Sequence, residues 1–109
     1  MHVWEIAVVL DREGVEGLMP DCHGEELCAA VERYCQVYAD QIKTAHPYVW
    51  VVVDAQENRT HSYVEINRYQ FRFPVADHDI EPGEEGLTKV AMEIEDIGTK
   101  MLALADKWT

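Results

Sequence analysis

Between residues 62 and 73 the side chains that would face a core change parity. Ser62, Val64 and Ile66 stand on even positions, whereas Tyr69, Phe71 and Phe73 stand on odd ones. Successive side chains of a strand point to opposite faces, so one straight strand cannot present both sets to the same side. A hairpin turning at Asn67-Arg68 can, because Ile66 then faces Tyr69, Val64 faces Phe71 and Ser62 faces Phe73. Asn tolerates the positive φ such a turn requires, although Arg is not favoured there. A single strand bulged at 67–68 is the competing account.

The other elements follow from simpler periodicities. Residues 2–10 alternate, with Trp4, Ile6, Val8 and Leu10 on one side and Val3, Glu5, Ala7 and Val9 on the other, which predicts a strand. Gly14, Gly17 and Pro20 break the pattern across 11–20. Asp21 is the expected N-cap of a helix, and Glu25 and Glu26 suit the positive end of its dipole. Leu27, Val31, Cys35, Tyr38 and Ile42 line one face of that helix, which Pro47 ends. Tyr48 to Val53 is apolar on both faces and reads as a central strand, with a polar turn at 54–60. The last segment repeats Leu87, Val90, Ile94, Ile97, Met101, Leu104 and Trp108 in steps of three and four, after Pro82, Glu84 and Glu85 at a helix start. Gly98 inside such a helix costs about 1 kcal/mol against Ala, so a close backbone approach is expected to offset it.

The order is therefore β-α-β-β-β-α, within a single α+β domain spanning 1–109. The expected architecture is a two-layer sandwich, a four-stranded mixed sheet with two long helices on one face. If the first two strands are neighbours they must run parallel. The order resembles a ferredoxin-like unit without its last strand, which is architecture and implies no function.

Charge narrows the function classes. Nine Lys and Arg against 21 Asp and Glu give a formal net charge of −12. That argues against direct binding of nucleic acid or of an anionic membrane, both of which need a basic surface. No apolar run approaches the roughly 20 residues of a membrane span, and the first residues have no secretory signal character. Cys22, Cys28 and Cys35 match neither a zinc pattern nor a disulfide framework. Buried thiols in a reducing, cytoplasmic setting are expected.

The acids are concentrated. Residues 11–32 carry −6 and residues 77–96 carry −7, while the rest of the chain sums to +1. With strands and helices alternating in direction, both acidic segments should meet at one edge of the sheet. His46, Arg68, Lys100 and Lys107 should gather at the other. Asp11, Glu13, Glu16, Asp54, Asp77, Asp79 and Glu81 form the expected acidic pole. Clustered carboxylates can imitate the phosphate spacing of nucleic acid and steer association with a basic, nucleic-acid-binding protein. Phage anti-defence proteins and toxin-immunity partners share this size and charge. The alternative is an enzyme in which Asp11 and Asp54, with Asp77, His78 and Asp79, hold a divalent metal for phosphoryl transfer or hydrolysis. No phosphate-binding glycine loop, HExxH or GxSxG occurs, so no cofactor is expected. A third option is a structural subunit that assembles through residues 87–108 or through the open sheet face. That face is expected to carry Glu5, Tyr63, Glu65, Gln70 and Arg72, beside either Trp50 or the Val49, Val51 and Val53 row.

Overall fold

A computed structural model describes residues 4–57, 61–77 and 85–108, the side chains of Asp77 and Glu85 excepted. Four strands, β1 (Trp4–Asp11), β2 (Val49–Gln56), β3 (Tyr63–Ile66) and β4 (Tyr69–Arg72), form one sheet in the order β2-β1-β3-β4. β1 and β2 run parallel, while β1–β3 and β3–β4 are antiparallel. The helices are α1 (Arg12–Glu16), α2 (Glu25–Ala45), α3 (Glu85–Thr99) and α4 (Ala105–Trp108), with a 3-10 segment at Lys100–Leu104. The mixed α+β sandwich expected from the periodicities is thus the observed architecture.

The parity change at 67–68 is a hairpin. Asn67 and Arg68 have φ of 49° and 78°, the two positive values a tight two-residue turn needs. Ile66 pairs with Tyr69 and Val64 with Phe71, and the Phe73 N–H donates to the Ser62 carbonyl at 2.9 Å. The turn also grips β1, because the Asn67 side chain accepts from the Glu5 N–H at 2.9 Å.

The core face of the sheet carries Ile6, Val8, Val51, Val64, Ile66 and Phe71, all buried. Against it lies α2, with Ala30, Val31, Tyr34, Cys35, Tyr38, Ala39 and Ile42 buried. α3, the 3-10 segment after it and α4 complete the core: Val90, Ile94, Met101 and Trp108 are buried, and Leu87, Ile97 and Leu104 pack against them. Tyr34 and Trp108 meet edge to face at 5.1 Å, and the Trp108 Nε1–H donates to the Met101 carbonyl. Gly98 does mark a close approach, but of the Tyr38 side chain and not of backbone. A Cβ built there would lie 2.6 Å from Tyr38 Oη, which itself donates to the Ile94 carbonyl at 2.7 Å.

Five expectations are corrected. β2 is an edge strand and not a central one, with only β1 beside it among the described residues. Its apolar residues on both sides reflect one row packed on α2 and one row left open. The parallel neighbours β1 and β2 have no strand between them, unlike the split arrangement of a ferredoxin-like unit. α2 begins at Glu25 with Gly24 as N-cap at φ 60°, so Asp21 is an exposed turn residue and not the cap. The broken stretch after β1 contains α1, held by the Asp11 side chain accepting from the Glu13 N–H and by an Arg12–Glu16 pair at 2.8 Å. The last helix is not continuous. α3 ends at Thr99 and passes through the 3-10 segment into α4, where Trp108 meets Tyr34 near the middle of α2, so Lys107 is not carried to the far pole. Pro82 and Glu84 lie outside the described residues.

Candidate functional site

The parallel pairing of β1 and β2 ends both strands at one edge, here called the upper edge. Asp11 stands across from Gln56, and Val9 across from Asp54. β3 starts at this edge because Val9 pairs with Tyr63. The Asp11 N–H donates to Ser62 Oγ at 3.0 Å, tying β1 to the residue before β3. α2 also begins here: Arg12 Nη2 reaches Cys28 Sγ at 3.4 Å, and α1 packs on α2.

The sequence-derived acidic residues at this edge are not equivalent. Asp11 caps α1. Glu16 is neutralised by Arg12, whose guanidinium is held above its ordinary pKa chiefly by the hydrogen bond to Glu16. Asp54 is exposed, with one carboxylate oxygen accepting from Gln56 Nε2 at 3.2 Å. Glu13 is exposed, as are Asp21, Glu25 and Glu26 before and within the first turn of α2, and Glu57 after β2. Asp77 closes a 3-10 turn, Val75–Asp77, beyond β4; Asp79 and Glu81 lie outside the described residues.

Glu95 is an acid the sequence reading did not single out. Its Oε1 accepts from the Val75 N–H at 3.2 Å, linking α3 to the 3-10 turn beyond β4. It lines a depression of about 470 Å³ with Asp11, Tyr34, His61, Ser62 and Phe73. Only a tertiary contact reveals it, since 20 residues separate the donor from the acceptor.

Asp11 and Asp54 stand near the ends of adjacent parallel strands. Asp54 lies two residues before the register partner of Asp11, and the Asp11 carboxylate is turned to its own helix. Among the described residues, no group of three or more His, Cys, Asp or Glu side chains is placed to hold a metal ion. The three cysteines are unpaired, and only Cys35 is buried; Cys28 is exposed and Cys22 intermediate, against the expectation of buried thiols.

The open face of the sheet divides in two. On β3 and β4 it is polar: Tyr63 faces Arg72, and Glu65 faces Gln70, whose Nε2 approaches Glu65 Oε2 at 3.5 Å. On the lower part of β2 it carries large apolar side chains. Trp50 stands beside Glu5 and Val52 beside Ala7, and Trp50 and Val52 are 68% and 51% exposed. It is therefore Trp50, and not the Val49, Val51 and Val53 row, that faces outward. At the lower edge, His46 Nε2 lies 2.9 Å from Glu93 Oε2, joining the end of α2 to α3, so this acid of the 77–96 segment does not gather at the upper edge as expected. No helix among the described residues is long and apolar enough to cross a membrane. Comparisons of the chain with protein-family models, with curated proteins and with solved structures give no match.

Proposed function

We propose that this chain is a small acidic binding module of the cytoplasm, whose upper edge docks a basic partner protein such as one that itself binds nucleic acid. One observation carries the reading. Parallel β1 and β2, with α1 and the start of α2, bring exposed Glu13, Asp21, Glu25, Glu26, Asp54 and Glu57 to the same edge. Helix dipoles explain Glu13, Glu25 and Glu26 in part, at about 0.3–1 kcal/mol each. Dipoles do not explain Asp21, Asp54 and Glu57, which lie outside any first turn and repel their neighbours. Such a field accelerates encounter with a positive surface and disfavours anionic ligands. An acidic inhibitor of the anti-defence or immunity kind would use it in that way. Three unpaired thiols agree with a reducing compartment. The metal-enzyme alternative has less support, because Asp11 is occupied as a cap and Asp54 is turned to Gln56.

The test is affinity capture on the immobilised chain at low and high salt, with Glu13→Lys/Asp21→Lys as the comparison. A basic protein retained by the wild type at low salt, released by high salt and lost from the reversed variant is the expected result. Equal retention by both chains would overturn the reading.

A further inference from the structure

The two edges of the sheet are treated differently. β4 is four residues long and carries Arg72 on its open side. β2 is eight residues long, VWVVVDAQ, and no strand among the described residues pairs with its outer side. A strand's N–H and C=O groups alternate in direction, so alternate residues of β2 turn theirs away from β1. Edge strands are usually guarded by Lys, Pro, a bulge or shortness, and β2 has none of these. Three of its neighbouring even positions, Tyr48, Trp50 and Val52, are large apolar side chains exposed by 69%, 68% and 51%. Beside the strand, on the other face, a groove of about 400 Å³ runs between β2 and α2. Glu32 lines one end of it and Lys43 the other, because α2 returns antiparallel to β2.

We propose that the occupant of this edge is a second copy of the same chain, with the two β2 strands pairing antiparallel about a two-fold axis at Val51. The arrangement is self-complementary on both faces. On the open face, Trp50 of each copy stands across from Val52 of the other, and Tyr48 across from Asp54. On the helix face, Val49 stands across from Val53, and the Glu32 end of one groove meets the Lys43 end of the other. A two-fold operation pairs each contact with its mirror, so every match occurs twice. It also sends the two acidic upper edges to opposite ends of the dimer, which limits repulsion between chains that each carry −12. The apolar stripe of α3 and the 3-10 segment after it, whose Ile94 and Met101 are fully buried, stays inside each copy.

Sedimentation equilibrium of the full chain over a concentration series tests this. The wild type should dimerise, and Trp50→Lys/Val52→Lys should be monomeric with an unchanged far-UV circular dichroism spectrum, since both side chains are exposed. Lys43→Glu and Glu32→Lys should each weaken the dimer by about tenfold, and the two together should restore it, because the swap re-forms the pair. A wild type that is monomeric at its highest soluble concentration would overturn the proposal. So would a dimer indifferent to the Trp50/Val52 change, or a double swap weaker than either single change. A monomer whose β2 amide resonances shift only on adding an unrelated extended peptide would assign the edge to a foreign strand and equally overturn it.

Discussion

Gly98 and Tyr38 decide how closely α3 approaches α2. Gly to Ala in a helix interior ordinarily gains about 1 kcal/mol. Here the new methyl would sit 2.6 Å from Tyr38 Oη and 3.0 Å from its ring carbons, with Tyr38 1% exposed and unable to swing away. Gly98→Ala should therefore destabilise by about 1–3 kcal/mol, the usual range for overpacking. Tyr38→Phe alone should cost about 1 kcal/mol for the hydrogen bond to the Ile94 carbonyl. Together they should cost less than their sum, since the phenyl ring removes the closest clash; additive denaturation free energies would contradict this contact. Cys35 carries a pH dependence. Burial, aided by the Asp54 carboxylate, pushes its thiol from 9.0 up to about 11. Between those values the native state keeps a proton the unfolded chain has lost, so stability present below pH 9 falls as pH rises towards 11. Burial likewise raises the Tyr34 and Tyr38 hydroxyls, which extends the fall. Urea midpoints measured from pH 8 to 10 should decline, and Cys35→Ala should flatten that decline; an equal slope would remove Cys35 from the account.

At the scale of elements, the β3–β4 hairpin is the part most open to improvement. Arg68 at φ 78° occupies a region that costs a non-glycine residue about 1–2 kcal/mol. Arg68→Gly creates the Asn-Gly pair that such turns favour. Its thermal midpoint should rise, by an amount equivalent to about 1 kcal/mol after the entropy of Gly is deducted, and a lower midpoint would mean Arg68 holds a contact worth more than its strain. This hairpin was legible because parity is a local signal: Ile66 and Tyr69 can share a face in only one way once the turn is placed. Gly98 was legible for a similar reason, as an unfavourable residue in an otherwise regular stripe. The position of β2 was not. A Val-rich strand looks alike whether its open row meets a helix or water, and the choice depends on β3 pairing with β1 more than 50 residues away in sequence. The cap of α2 was missed because Asp21 has the right chemistry, while Gly24 supplies the backbone conformation without a side-chain bond. Glu95 was invisible for want of any sequence mark of its contact with Val75.

At the scale of the whole molecule, strand pairing decides which side chains share an edge. Asp11 and Asp54 are at the upper edge because β1 and β2 are parallel, and Arg68 is at the lower because the hairpin turns beside Glu5. Reversing Glu13 and Asp21 changes exposed side chains only and should alter stability by no more than about 1 kcal/mol. The most direct measurement is the association rate constant of a basic protein retained in the low-salt capture with three chains, the wild type, Glu13→Lys/Asp21→Lys and Arg68→Glu, across a range of ionic strength. The account predicts association about tenfold slower for the acidic-edge variant at low salt, convergence with the wild type as salt rises, and little change for Arg68→Glu. Equal rates for the acidic-edge variant and wild type at low salt, or a loss confined to Arg68→Glu, would contradict it.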